Sequence, residues 1–203
     1  LCELPERERD AQAQMAHHAT HDGLTGLPNR ALFADRLAEA LAGAQQRSSV
    51  LAIMFLDLDQ FKLVNDGIDH AAGDEVLAET ARRLLATARA EDTVARFGGD
   101  EFTVLAEVTG EDEAIILADR LRDAVSAPIF LGEHDLSIRV SIGVVITHGS
   151  GDPLSLVRDA DAAMYRAKEG GRDGIVVFGK QIGQQAQHRL DVERELRHAL
   201  ANE

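Results

Sequence analysis

The stretch Val50 to Leu58, VLAIMFLDL, constrains the fold of this chain more than any other. Its opening, Val50 to Leu56, is the longest continuous apolar run in the sequence. It is far too short to cross a bilayer, which takes about 20 apolar residues in a helix. A brief, dense apolar run of this kind reads as a buried strand. The strand ends in alternating acid, Asp57-Leu58-Asp59, so it delivers two carboxylates to its tip.

The flanking sequence supplies partners for such a strand. Arg30 to Gln46 has helical spacing, with Leu32, Phe33, Leu37, Ala40 and Leu41 on one side. Ala71 to Ala88 repeats the pattern with Val76, Leu77, Ala81, Leu84 and Leu85. Thr93 to Phe97, then Gly98-Gly99, then Glu101 to Glu107 read as strand, tight turn and strand. Glu111 to Ser126 is predicted helical, and Leu136 to Thr147 reads as one strand paired with Ile129 to Leu131. Pro153 opens a further helix, Gly170-Gly171 closes it, and Ile175 to Phe178 is a last short strand. The order β-α-β-β-α-β with additions predicts an α+β domain of ferredoxin-like type, an antiparallel sheet with helices on one face. Residues 1–20 read as a helical connector, 21–182 as the domain, and 183–203 as a C-terminal helical linker.

Charge narrows the ligand classes. Lys and Arg number 21 against 35 Asp and Glu, a net charge of −14 over 203 residues. That balance excludes a broad electrostatic footprint on a nucleic-acid polymer, which needs Lys and Arg against the phosphates. An anionic ligand must therefore be neutralised locally, by a divalent cation or by a few placed basic residues. The single cysteine, Cys2, excludes an internal disulfide framework and fits a cytoplasmic setting. The chain opens on Leu1 rather than Met and is expected to be a piece of a longer protein.

Two acidic pairs sit where strands end: Asp57 with Asp59, and Asp100 with Glu101 after the glycine turn. Alternation puts Asp57 and Asp59 on one face and sets Asp100 and Glu101 in opposite directions. Carboxylate oxygens favour Mg²⁺ or Mn²⁺, and Mg²⁺ commonly binds through one or two carboxylates plus substrate phosphates.

Arg96-Phe-Gly-Gly-Asp-Glu-Phe102 resembles the signature of the GGDEF family, the diguanylate cyclases. His21-Asp22-x-Leu24-Thr25-Gly26-Leu27-Pro28-Asn29-Arg30 is similar to that family's entry segment, and Asp57-x-Asp59-x-Phe61-Lys62-x-x-Asn65-Asp66 to its metal and guanine segment. Ser141-Ile-Gly143 and Ala163-Met-Tyr165-x-Ala167-Lys168-x-x-Gly171-Arg172-Asp173 resemble two later blocks, so the likeness runs from about residue 20 to residue 179. One departure falls at Asp69, where the family commonly has glycine; a left-handed backbone, which Asp tolerates, is expected there.

The resemblance implies a palm-like fold and condensation of two GTP into cyclic di-GMP with release of pyrophosphate. It implies two Mg²⁺ or Mn²⁺ per active site, held by Asp57, the Leu58 backbone carbonyl, Asp100 and Glu101. Asp100, Glu101 and Lys62 become the catalytic candidates, with Asp100 drawing the proton from the ribose 3′-hydroxyl. Asn65 and Asp74 would read guanine, Gly98 and Gly99 would admit the nucleotide, and Lys168 and Arg172 would anchor phosphates. Two domains must face each other as a homodimer, each holding one GTP. Arg89 and Asp92, in Arg89-Ala-Glu-Asp92, resemble the family's inhibitory product site for cyclic di-GMP. The tails resemble a connector from an upstream sensory module and a lead into a downstream EAL phosphodiesterase domain. That arrangement carries an alternative: a catalytically silent GTP-binding module regulating the phosphodiesterase. The location implied is cytoplasmic, as part of a soluble or membrane-tethered parent.

Overall fold

A computed structural model describes residues 19–131 and 134–179. The expected C-terminal linker and all but the last two residues of the expected connector lie outside the described residues. The elements are α1 (Arg30–Arg47), β1 (Val50–Asp59), α2 (Lys62–Gly67), α3 (His70–Thr87), β2 (Thr93–Gly98), β3 (Glu101–Val108), α4 (Glu111–Ser126), β4 (Ile129–Leu131), β5 (His134–Leu136), β6 (Arg139–Thr147), α5 (Pro153–Glu169) and β7 (Ile175–Val177). Among these, no helix is long and apolar enough to cross a membrane.

The main sheet has the order β2-β3-β1-β6-β7, with β1 at its centre between antiparallel β3 and β6. Only β7 runs parallel to its neighbour, β6. The α+β architecture matches the expectation from sequence, but the helices cover both faces rather than one. Ala52, Met54, Leu56 and Leu58 of β1 pack with Val76, Leu77 and Leu84 of α3 and Leu117, Leu121 and Val125 of α4. Leu51, Ile53 and Phe55 pack on the other side with Phe33, Leu37 and Leu41 of α1 and Leu156, Ala160 and Met164 of α5. The cause is in β1 itself, whose apolar residues occupy both parities. Each large side chain removed from water there contributes about 1.5–3 kcal/mol, which a helix layer on one side alone would forfeit for half of them.

Two further expectations are corrected. Leu136 to Thr147 is not one strand: β5 pairs with β4 in a separate two-stranded sheet, and β6 begins at Arg139. The break falls where β1 runs out, since Arg139 is the partner of Asp59, its last residue. The short helix α2 is absent from the expected elements.

Local chemistry sets the helix ends. Asn29 accepts from the N–H groups of Ala31 and Leu32 to start α1, and Asp152 accepts from Ser155 N–H to start α5, with Pro153 in its first turn. Arg83 of α3 donates to the carbonyls of Ala124, Val125, Ala127 and Pro128, closing α4. At Gly143 of β6, α5 approaches the sheet so closely that a Cβ would lie 2.0 Å from Ala160 O and 2.2 Å from Met164 N. That contact fixes the height of α5 over the sheet.

Candidate active site

The site begins at the tip of β1. Asp57 stands opposite Glu101 of β3 and Ser141 of β6. Directly opposed residues on antiparallel strands share a face, so Asp57, Glu101, Ser141 and, by alternation, Asp59 lie on the α5 side. Asp57 is only 6% exposed. The Lys168 ammonium, near the end of α5, sits 2.6 Å from its Oδ1. The close seat of α5 at Gly143 is what lets a lysine from that helix reach β1.

Asp59 has a different occupation. Its carboxylate accepts from Ser141 Oγ at 2.9 and 3.0 Å and from the Asp173 N–H at 3.0 Å, with Arg172 Nε 4.0 Å away. It thereby anchors the loop after α5, where Arg172 and Asp173 take left-handed φ of 65° and 51°. The sequence placed Asp57 and Asp59 on one face but gave no sign that one is a buried loop anchor. The Asp59–Ser141 pairing was missed because its members are 82 residues apart.

The hairpin turn between β2 and β3 brings the remaining acids. Gly98 and Gly99 have φ of 149° and 52°, a backbone that side chains rarely adopt. A Cβ at either would meet open space, so backbone conformation rather than crowding requires glycine here. Arg96 clamps the turn: its Nε and Nη2 donate to Gly99 O at 3.1 and 2.8 Å, while Nη1 reaches Asp22 Oδ1 at 2.9 Å. Asp22 is itself held by Thr25 N–H and hydroxyl at 2.8 and 2.6 Å. Burial alone would raise its pKa, but the Thr25 and Arg96 hydrogen bonds outweigh that and hold it below the usual carboxylate value. The entry segment is thus a brace for the turn, a role that its sequence did not disclose. The Asp100 carbonyl accepts from Leu58 N–H at 3.2 Å, tying the turn to the β1 tip. Leu58 O accepts from Phe61 N–H at 3.3 Å and retains a second lone pair.

Charge accumulates at this end of the sheet. Burial pushes the Asp57 carboxyl up; the Lys168 hydrogen bond opposes this, and the charges of Asp100 and Asp59 add to it. Glu101 is also raised, first by burial and then by Asp57, Asp161 and Asp100. Among the described residues no three His, Cys, Asp or Glu side chains close on a point where they would hold an ion by themselves. The donors fit a different kind of metal site: one or two hard carboxylates, with a substrate completing the shell. A cation already seats on Asp57, in the form of Lys168.

The other candidates flank this tip. Lys62 is exposed at the start of α2, and Asn65, half-buried, lies on the same short helix. A Cβ at Gly73 of α3 would fall 2.0 Å from Asn65 Oδ1, so Gly73 is what allows the amide to lie against α3, one residue from exposed Asp74. The sequence offered no signal for Gly73. Asp69 is not left-handed: it is extended, with φ −169°, and its carboxylate caps α3 by accepting from Ala72 N–H at 2.8 Å. Arg172 is half-exposed beside Asp59 rather than Asp57.

Arg89 and Asp92 meet in the turn before β2. The Arg89 N–H donates to Asp92 Oδ2 at 2.7 Å, and its Nη2 pairs with Glu113 Oε1 at 2.6 Å. Both residues line a cavity of about 810 Å³, together with Arg36, Glu39 and Arg47. Asp92 Oδ1 is buried without a hydrogen-bond partner, and burial raises the pKa of this carboxyl. Hydrogen bonds from Thr109, then from Arg89, depress Glu113 to about 2.

Comparison with known proteins identifies the family to which the chain is similar. The family described as "Diguanylate cyclase, GGDEF domain" matches residues 19–174. The chain is 42% identical over 191 residues to MucR of Pseudomonas aeruginosa, a bifunctional diguanylate cyclase/cyclic di-GMP phosphodiesterase, covering 94% of this chain and 28% of MucR. It is 44% identical over 169 residues to the diguanylate cyclase TpbB of the same species, covering 82% of this chain and 39% of TpbB. It is 38% identical over 194 residues to the cyclic di-GMP phosphodiesterase NbdA, also of Pseudomonas aeruginosa, covering 95% of this chain and 25% of NbdA. The chain therefore spans well under half the length of these curated relatives. Among solved structures, the coiled coil and GGDEF domain of DgcB from Caulobacter crescentus, in complex with c-di-GMP, superposes with a TM-score of 0.78 at 30% identity, covering 86% of this chain and 94% of that one. The family match, the similar relatives and the shared fold show that this chain belongs to the GGDEF family of diguanylate cyclase domains.

Proposed function

We propose that this domain is an active diguanylate cyclase that condenses two GTP into cyclic di-GMP and releases pyrophosphate. The observation that carries the reading is the buried, raised Asp57 carboxylate, met by Lys168 and facing Glu101 at the tip of the clamped glycine turn. Asp57, the Leu58 carbonyl, Asp100 and Glu101 would hold two Mg²⁺ or Mn²⁺. Bound there, the metals polarise the phosphate oxygens and make the ribose 3′-hydroxyl more acidic. Asp100 accepts the hydroxyl proton as the 3′-oxygen forms a bond to the α-phosphorus of the facing GTP and the bond to pyrophosphate breaks. Lys62, Lys168 and Arg172 stabilise the triphosphate charge. Asn65 and Asp74 read the guanine edge, the carboxylate accepting from N1–H and the exocyclic amine. Each domain binds one GTP, so turnover needs a homodimer with its two sites face to face.

Cyclic di-GMP would bind at Arg89 and Asp92 and inhibit. The orphaned Asp92 Oδ1 is suited to a guanine N–H, and the Arg89 fork to a phosphate or a guanine edge. We place residues 1–20 as the connector from a sensory module and 183–203 as a lead into an EAL domain, in a parent whose catalytic portion is cytoplasmic.

A second reading is a silent GTP-binding regulator of an adjacent phosphodiesterase, and the relative named only as a phosphodiesterase favours it. One experiment separates the two: incubate the chain at high concentration with GTP and Mg²⁺, and follow cyclic di-GMP and pyrophosphate. An active cyclase forms both products, and Asp100→Ala abolishes them. GTP binding without product establishes the regulator.

A further inference from the structure

We propose that Lys168 is a placeholder cation that couples metal binding to triphosphate binding. Its ammonium neutralises Asp57 until a metal–nucleotide complex arrives, and then transfers to the phosphate oxygens. The inference rests on the assignment of Asp57 as a metal ligand and of Lys168 as a phosphate anchor.

The geometry supplies each step. Asp57 is buried and opposes another acid, Glu101, across the β1–β3 pair, so an uncompensated carboxylate there would be costly. The 2.6 Å ion pair with Lys168 offsets that cost. Mg²⁺ sits about 2.0–2.1 Å from its carboxylate oxygens, a shell that leaves little room for an ammonium on the same group. Two cations crowded on one carboxylate away from bulk water repel strongly. The lysine must therefore give way, and it can: its side chain is 28% exposed and is carried on the last turn of α5, while α5 itself is fixed at Gly143.

Where Lys168 goes decides the thermodynamics. A metal arriving alone displaces the ammonium into water and forfeits the ion pair. A metal arriving with a triphosphate offers the ammonium a new anionic partner within reach. Metal and nucleotide then favour each other's binding, with Lys168 carrying the coupling. A lysine that merely pins α5 to β1 would behave otherwise, since its loss would weaken both ligands together.

The test is Mn²⁺ binding to the whole chain, followed by the electron paramagnetic resonance of free Mn²⁺, for wild type, Lys168→Met and Lys168→Gln. Asp57→Asn serves as the reference. Loss of a Mn²⁺ site in Asp57→Asn verifies the underlying ligand assignment. The placeholder then requires that Lys168→Met and Lys168→Gln bind Mn²⁺ alone roughly tenfold more tightly, the scale of one charge-assisted hydrogen bond. It also requires that both bind Mn²⁺ with a non-hydrolysable GTP analogue more weakly than wild type. Unchanged or weaker Mn²⁺ binding by both variants, with the Asp57 site intact in wild type, overturns the placeholder and leaves the cyclase reading standing. Absence of any Asp57-dependent Mn²⁺ site overturns the ligand assignment and the placeholder with it.

Discussion

Replacing Gly143 with alanine tests the contact that brings α5 to the active site. The added Cβ would lie 2.0 Å from Ala160 O, 2.2 Å from Met164 N and 2.9 Å from the Ala163 carbonyl carbon. All three are backbone atoms, so no rotamer change relieves the clash, and helix and sheet must separate by about 1 Å. That movement opens the interface that buries Leu156, Ala160, Ala163, Met164 and Ala167. Overpacking typically costs about 1–3 kcal/mol, and a clash with helix backbone belongs at the upper end, about 3 kcal/mol. For a domain of this size that lowers Tm by roughly 6–12 °C. Lys168 rides on the same helix, so its contact with Asp57 loosens as well, and affinity for a metal–GTP analogue falls. Thermal unfolding by circular dichroism reads the first effect and calorimetry the second. Gly23→Ala, where an added Cβ meets nothing within 4 Å, is the control and should leave Tm unchanged. A Gly143→Ala variant melting within about 2 °C of wild type would refute the reasoning.

Arg96→Lys should reduce cyclic di-GMP synthesis at least tenfold while the domain stays folded, because one ammonium cannot donate to both Gly99 O and Asp22 as the guanidinium fork does; wild-type turnover would show that the clamp is dispensable. Asp69→Ala should cost about 1 kcal/mol in urea unfolding, and Asp69→Gly only a few tenths. A stabilised Asp69→Gly would mean that the position prefers a left-handed backbone after all. Glu113→Gln should tighten cyclic di-GMP several-fold in calorimetry, because it frees Arg89 for the ligand; unchanged affinity would dismiss Glu113 as a competitor. The Glu79 carboxyl, hydrogen-bonded by Arg82 and Arg83, is depressed to about 2 from 4.5. Between these values the unfolded chain binds more protons, so the pairing stabilises fully above pH 4.5 and is lost as pH falls toward 2. Solvent screening limits it to about 0.5 kcal/mol, and the stability gap between wild type and Glu79→Gln should close across that window.

Legibility in the sequence followed the range of the interactions. β1, the β2–β3 hairpin and, among the described elements, the helices α1, α3, α4 and α5 match the sequence reading within a residue or two, because periodicity and turn residues are local signals. The short α2 was lost because six residues ending in glycine carry no amphipathic stripe. The strand Leu136–Thr147 was over-extended because the break depends on where β1 ends, far away in sequence. The acids at the strand tips were visible from their placement, whereas their roles came only with the family signature. What neither spacing nor signature revealed were the supports: Arg96 on Gly99, Asp22 behind Arg96, Asp59 on Ser141 and Gly73 beneath Asn65. Two of these, Asp22 with Arg96 and Asp59 with Ser141, join segments 74 and 82 residues apart, and the other two depend on how a turn and a helix pair fold back locally.

Those supports also change the meaning of the acidic surplus. A net charge of −14 suggests many interchangeable surface carboxylates. Several are instead consumed by internal donors: Asp22 by Thr25 and Arg96, Asp59 by Ser141 and Asp173, Asp69 and Asp152 by helix N-termini, Glu113 by Thr109 and Arg89. A carboxylate held by such donors has lone pairs committed and offers little to a metal. Asp57 and Glu101 differ. Burial, then neighbouring acids, push their carboxyls up, and Asp57 is met by Lys168. Asp92 is raised as well, beside Arg89; what distinguishes the β1–β3 tip is the crowding of partly buried acids on one another. It is the electrostatic reason that a divalent cation and a triphosphate should be drawn to that end of an otherwise acidic molecule.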